Sequence, residues 1–391
     1  MITLIQKYEQ KLYKANLVSP GHAMVGALDD ECIWNQAHEK LSDLNKILSA
    51  LPINALIFAN PKQPYAQIIN HLAAHNPSEI CPQDTESKTF LHSLPVIQNW
   101  DCEAIIHGLS YRKGVIILNQ GIIASGAMTP EQAFVVYSSI CFACFVAYFS
   151  EHLQKAFDNQ LSIAEMNITD SLLNQCPKIP DQMPDLAKGP FLSEDDIYAA
   201  ITEVGKQTVQ YGLVDSYFGN VSYYMNDTLF ITQTASSLDE LTGCIDPCPL
   251  DGSSCVAITA SSEFSAHKQI VQSGKYKAIL HGHPRFSVVI SMFCKERYTC
   301  PNRMRCHTHC SKRQMINSIP IIPGEVGCGP HGLIHTLPNA FLESDTAIVY
   351  GHGVFTVGES DFMTAFERLA LTEIMCHDAY INWIHNPGNI T

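Results

Sequence analysis

The chain has 391 residues, 46% of them apolar and 16% charged, and a formal net charge of −14. That length suggests two domains, and the apolar fraction is that of a well-packed globular protein. The acidic balance argues against a nucleic-acid surface, which needs clustered Lys and Arg, although a few local donors still suffice to hold one small anion.

The opening MITLIQKYEQKLYK alternates charged and apolar residues and reads as an amphipathic helix, not a signal peptide. The most apolar run, AFVVYSSICFACFVAYF at 133–149, falls short of the roughly 20 residues a membrane helix needs. A buried helix is expected there, and no membrane partner. With no export signal in view, the 15 cysteines read as reduced thiols of a cytoplasmic protein. Between 158 and 192, Pro, Asp and Asn interrupt every period, which predicts a linker. Ser193 then reads as an N-cap, with Glu194, Asp195 and Asp196 in the first turn of an amphipathic helix. The chain is accordingly divided into 1–157, a linker at 158–192, and 193–391.

The two halves repeat one another, a pattern sought before any other. QKLYKANLV at 10–18 opens the first half as KQTVQYGLV at 206–214 opens the second. ALIFANP at 55–61 matches AILHGHP at 278–284, and GVIILNQGIIASGAMTPEQAF at 114–134 matches TAIVYGHGVFTVGESDFMTAF at 346–366. Gly121 falls on Gly353, Gly126 on Gly358, and Ala133-Phe134 on Ala365-Phe366. Each copy predicts a strand, a Gly turn, a second short strand and a long helix.

His281-Gly282-His283 ends the strand of the second copy, so its two imidazoles point to the same side. His352 follows in a Gly-flanked turn. Three His ligands with an open fourth position describe a catalytic zinc site. In the first copy all three positions change together: Phe58 for His281, Asn60 for His283 and Gln120 for His352. Framework residues persist while the ligands vanish as a set, which packing histidines give no reason to do.

GNVS (219–222), TQTASS (232–237), ASSEF (260–264), HGHPRF (281–286) and GHGVF (351–355) occur in that order. With them, residues 195–385 resemble the class II aldolase/adducin family, which includes fuculose-phosphate aldolase and ribulose-phosphate 4-epimerase. The first half then looks like a degenerate copy of the same fold. The resemblance implies two tandem α/β domains of three layers, with His281, His283 and His352 on Zn2+ or another divalent metal. It implies an acid/base role for Glu263, whose register partner in the first half is Lys40. It also implies a phosphate pocket of Gly219, Asn220, Thr234, Ser261 and Ser262, although Ala235 stands where the family often has Gly. The activity implied is a lyase on a small, phosphorylated sugar or ketose through a zinc-stabilised enediolate, in a homo-oligomer. A hydro-lyase, an epimerase or a decarboxylase on the same scaffold, and a non-catalytic adducin-like interaction protein, are the alternatives.

CKERYTCPNRMRCHTHCSKR at 294–313 looks like an insertion that covers the active-site mouth. Cys300, Cys306, Cys310 and His307 are candidates for a second, closed zinc site. Cys294 is a further thiolate there, and an iron–sulfur cluster is the alternative. Arg285, Arg303, Arg305 and Tyr298 are candidates to touch substrate. His331 and His335 are four apart, but Pro330 and Pro338 shorten the helix and favour a structural reading.

Overall fold

The computed structural model describes residues 1–214 and 217–389. The chain divides into two compact units, one of Met1–His152 with Gln160–Cys176, the other of Leu153–Asn159 with Pro177–Thr391.

In the first unit the strands are β1 (Ala23–Leu28), β2 (Cys32–Trp34), β3 (Ala55–Ala59), β4 (Glu79–Ile80), β5 (Leu94–Ile97), β6 (Gly114–Ile117) and β7 (Gly121–Gly126). They form one sheet in the order β2-β1-β3-β7-β6-β5-β4. One face carries helices Leu41–Ala50 and Cys102–Tyr111, whose Leu44, Ile47, Ile105 and Leu109 pack on Leu56, Val115 and Ile123. The other face carries helix Pro130–Phe157 up to His152, where the Tyr137 hydroxyl donates to the Ala59 carbonyl at 3.4 Å. That helix is longer than the apolar run that predicts it and is apolar enough to cross a membrane. Its most apolar stretch is 89% buried in the fold, which makes it a core helix.

The second unit contains β8 (Asn220–Met225), β9 (Thr228–Thr232), β10 (Ile245–Pro249), β11 (Ala278–Gly282), β12 (Gln314–Ile316), β13 (Ile319–Ile322), β14 (Thr346–Val349) and β15 (Gly353–Gly358). Their order is β10-β9-β8-β11-β15-β14-β13-β12. Helices Phe264–Val271 and Leu333–Ala340 cover one face through Ala266, Ile270, Leu333 and Leu337, packed on Ile279, Phe355 and Val357. Helix Met363–His385 lies on the other, where Thr356 Oγ1 donates to the Ala365 carbonyl at 2.8 Å.

Apart from the added edge strand β10, the two sheets share strand order and direction. β5–β6 and β13–β14 are the parallel pairs, and the remaining pairs are antiparallel. The register agrees too, with Ala55 paired to Gly126 as Ala278 is to Gly358. The aligned glycines have one cause. A Cβ on Gly121 would come within 2.3 Å of the Ala59 carbonyl oxygen, and one on Gly353 within 2.4 Å of that of Gly282. In each unit a returning strand starts so close to a neighbouring chain that only hydrogen fits.

The stretch read as a linker holds more structure than expected. Helix Ile163–Leu173 forms inside it, closed by a capping box in which Ser162 Oγ accepts from Glu165 N and Glu165 returns to Ser162 N. That box is legible as Ser-x-x-Glu. Helix Glu194–Gln210 begins as predicted, with Ser193 Oγ accepting from Asp196 N at 3.2 Å.

Candidate metal centre

β11 lies between β8 and β15, so His281 has Asn220 on one side and Phe355 on the other. Residues 279 and 281 share a face of the sheet, the face covered by helix Phe264–Val271. Glu263 stands at the head of that helix and is only 3% exposed. His283 follows the strand end, and His352 comes from the turn between β14 and β15. A Cβ on Gly353 would press within 2.9 Å of the His281 ring and 3.0 Å of the His283 ring. Gly219, at φ +84°, likewise passes where a Cβ would meet the His281 carbonyl oxygen at 2.5 Å.

The three imidazoles converge. A ligand nitrogen from each of His281, His283 and His352 lies within 4.8 Å of the others, and all three residues are buried. Among the described residues these three are the group of His, Cys, Asp or Glu side chains placed to hold a metal ion. Nδ1 of His281 donates to the Val354 carbonyl at 3.0 Å, which leaves Nε2 with its lone pair directed at the trio. Nε2 of His283 lies 2.9 Å from that nitrogen. Such a contact needs either a shared proton or a cation between the two lone pairs. Burial first, then the charges of His281 and His352, pushes the His283 pKa well below its usual value, so the ring is held in the neutral form a metal requires. Phe355 stacks on His281 at 3.8 Å and 9°, and Phe218 stacks on His283 at 5.7 Å.

Glu263 closes the fourth side. Its Oε1 is 3.4 Å from His352 Nε2 and its Oε2 is 3.6 Å from His281 Nε2. For metal–nitrogen bonds of about 2.0–2.1 Å, the edge of a tetrahedron is about 3.3–3.4 Å, close to these separations. Three imidazoles and one carboxylate therefore fit a divalent ion. The carboxylate does not cap its helix. It accepts instead from Asn220 Nδ2 at 2.5 Å, while Ser261 Oγ accepts from Glu263 N at 3.3 Å.

The residues expected to line a phosphate pocket divide. Asn220 and Ser261 are buried against Glu263. Thr234 and Ser262 are exposed, on two segments joined by the bridge between Gln233 and Ala260. Ala235 sits at φ +58°, the left-handed region where glycine is at ease. Cys300, Cys306 and Cys310 are half-buried. His307 Nε2 lies 4.0 Å from Glu325 Oε1, and His331 and His335 are exposed on either side of the start of helix Leu333–Ala340.

Three supports have no sequence motif. The Val354 carbonyl fixes the His281 tautomer, and Ser291 Oγ accepts from Gly351 N at 2.9 Å, anchoring the turn that carries His352. Glu373, buried on helix Met363–His385, accepts from Phe286 N and Ser287 N at 2.8 Å each and from Ser287 Oγ at 2.9 Å. It thereby holds the start of helix Arg285–Ser291, two residues after His283.

Residues 199–380 match the model of the Class II Aldolase and Adducin N-terminal domain. This part of the chain belongs to that family. Solved structures similar to the chain include L-fuculose-1-phosphate aldolase from Thermus thermophilus, at 20% identity over 49% of this chain and 97% of that one, with a TM-score of 0.39. A sugar-phosphate aldolase from Thermotoga maritima is 18% identical over 49% of this chain and 96% of its own, at a TM-score of 0.36. L-fuculose 1-phosphate aldolase from Glaciozyma antarctica is 12% identical over 51% and 78%, at 0.35. A comparison with curated proteins finds no match.

The first unit fills the corresponding place with carbon. Phe58, in the register of His281, packs edge-on against Trp100 at 5.1 Å. Lys40 heads helix Leu41–Ala50 as Glu263 heads its own helix, and its ammonium lies over the Trp100 ring at 4.2 Å.

Proposed function

We propose that the second unit is a divalent-metal-dependent lyase of the class II aldolase type, acting on a small phosphorylated sugar or ketose. The first unit is read as a copy that has kept the fold and lost the ligands, and the protein as a homo-oligomer. The observation that carries this reading is the Glu263 carboxylate standing 3.4–3.6 Å from two of three convergent imidazole nitrogens.

His281, His283 and His352 would hold the ion, with zinc the metal their donor set suits best. Bound there, it would supply Lewis acidity toward a substrate carbonyl and neighbouring hydroxyl. Glu263 holds the position from which a proton is taken or returned beside that carbonyl. Asn220 aims the carboxylate by donating to Oε2, which leaves Oε1 turned to His352. The hydroxyls of Thr234, Ser261 and Ser262, with the backbone near Gly219, offer uncharged donors to a phosphate.

Replacing Glu263 with Gln tests the reading. The variant should retain about one divalent ion per chain and lose about 10²–10⁴-fold in turnover of a ketose-phosphate panel, the span general acid/base groups contribute. Full turnover by Glu263→Gln would overturn the role given to the carboxylate.

A further inference from the structure

Residues 294–313 form a basic stretch in an acidic chain. They include Lys295, Arg297, Arg303, Arg305, Lys312 and Arg313 against one carboxylate, Glu296, whereas the whole protein has 24 Lys and Arg against 38 Asp and Glu. Two of these cations are answered within the fold, since Lys312 pairs with Glu296 and Arg313 with Glu343. Arg305 is exposed and makes no side-chain hydrogen bond or ion pair with any described residue. Positive charge concentrated in this way draws small anions to the surface that carries it.

Arg305 lines a cleft of about 500 Å³ together with Asn302, His307, Thr308, His309 and His331. The Arg305 carbonyl accepts from Thr308 N at 2.9 Å and from His309 N at 2.7 Å. That single helical turn brings residues 305, 308 and 309 to one side of the chain. The opposite wall is tied to it through residues 324 and 325. Gly324 N donates to the His307 carbonyl, and Glu325 N to the His331 carbonyl, each at 2.9 Å. Glu325 does not line the cleft, although its Oε1 lies 4.0 Å from His307 Nε2. No member of the histidine trio lines it either.

We propose that this cleft binds a phosphate monoester of a small hydroxylated compound, a sugar phosphate by chemical class. Its lining offers one guanidinium, three imidazoles, an amide and a hydroxyl, and no carboxylate. A guanidinium fork meets two phosphate oxygens at once, and the imidazoles, the amide and the hydroxyl add donors around it. The volume falls within the roughly 300–1,000 Å³ of small-molecule sites. It exceeds what an inorganic anion fills and leaves room for an organic body. Sites of this size are ordinarily apolar for the most part, whereas all six side chains here are polar and none brings a benzene or indole ring. Such a lining matches a body rich in hydroxyls better than a nucleobase or an acyl chain.

The site is independent of the histidine trio and of the activity read from it, so the test is made with the trio broken. Titration calorimetry of the full chain carrying His281→Ala should show fructose 6-phosphate binding. Adding Arg305→Gln should weaken it by about 10- to 100-fold, as the loss of charged hydrogen bonds does, with the thermal midpoint unchanged. Adding His309→Gln should weaken it too. Adding Lys312→Gln, whose cation is already paired with Glu296, should change it by less than about 2-fold. Inorganic phosphate should bind at least about 10-fold more weakly than the ester, because it leaves most of the cleft unfilled. Ester binding that is lost with His281→Ala, or that survives Arg305→Gln at full strength, overturns the proposal. Equal affinity for inorganic phosphate overturns it as well.

Discussion

Nδ1 of His281 lies 3.0 Å from the carbonyl oxygen of Val354, the residue before its partner Phe355 on the β11–β15 ladder. The sheet itself thus sets which nitrogen of the ring is protonated, and the other faces His283 and His352. A ligand oriented by its own scaffold loses little freedom on binding a metal. Each of His281→Ala, His283→Ala and His352→Ala should therefore drop bound zinc from about one per chain to a small fraction, with thermal unfolding still cooperative. Metal analysis after gel filtration reads this directly. Full occupancy in His352→Ala would remove the turn from the site.

Glu373 makes the second support testable. Burial, which outweighs the hydrogen bonds from Phe286 and Ser287, raises its pKa above the usual carboxylate range. Removing the side chain leaves two backbone N–H groups and a hydroxyl without their acceptor at the start of helix Arg285–Ser291. Glu373→Ala should cost about 2–4 kcal/mol of unfolding free energy, as the loss of a buried charge-assisted cap does. Glu373→Gln keeps one acceptor and should cost less than half as much. Urea titration of both variants gives the ratio, and equal losses would mean that packing, not hydrogen bonding, is the role of the side chain.

The fold was largely legible because backbone constraints write themselves as residue types. Gly121 and Gly353 mark places where a strand passes too close to a carbonyl for any Cβ. Ala55 and Ala278 mark the same rung of two ladders. The converging histidines were legible by contrast, with Phe58, Asn60 and Gln120 in the matching positions of the first half. What stayed hidden acts through atoms every residue has, such as the Val354 carbonyl, or through contacts distant in sequence. Glu373 lies 86 and 87 positions beyond the two amides it caps, and nothing local marks it. Helix Ile163–Leu173 is different: its capping box is spelled out in the residues, but the prolines around it weigh more.

Asp84 supplies a pH dependence of its own. It caps helix Thr85–Leu91, accepting from Ser87 N at 2.8 Å, and full burial pushes its carboxyl up to about 6. In the unfolded chain the group titrates near 3.9. Below that value both states bind the proton and its contribution to stability is fully present. Between about 4 and 6 the unfolded chain has released the proton and the folded one has not. Stability is therefore lost as pH rises through the folded value and then levels off. About two units correspond to about 3 kcal/mol. Asp84→Asn keeps the cap acceptor without the titration. The difference in unfolding free energy, variant minus wild type, should thus grow by about 2–3 kcal/mol from pH 4 to pH 8. A flat difference across that range would place the carboxyl at an ordinary pKa.

Ala235 offers a test of the loop beside Thr234. At φ +58° a side chain brings Cβ close to its own carbonyl, at a cost of about 1–2 kcal/mol. Glycine removes that strain but gives the unfolded chain more freedom, an opposing effect of about 0.4–1 kcal/mol. The balance favours Ala235→Gly by about 0.5–1 kcal/mol, visible as a small rise in the denaturation midpoint at unchanged slope. The same replacement opens the backbone after Thr234 to closer approach by an anion. If this loop belongs to the phosphate pocket, the KM for a phosphorylated ketose should fall while kcat holds. If the loop lies outside the pocket, stability should rise and KM should not move.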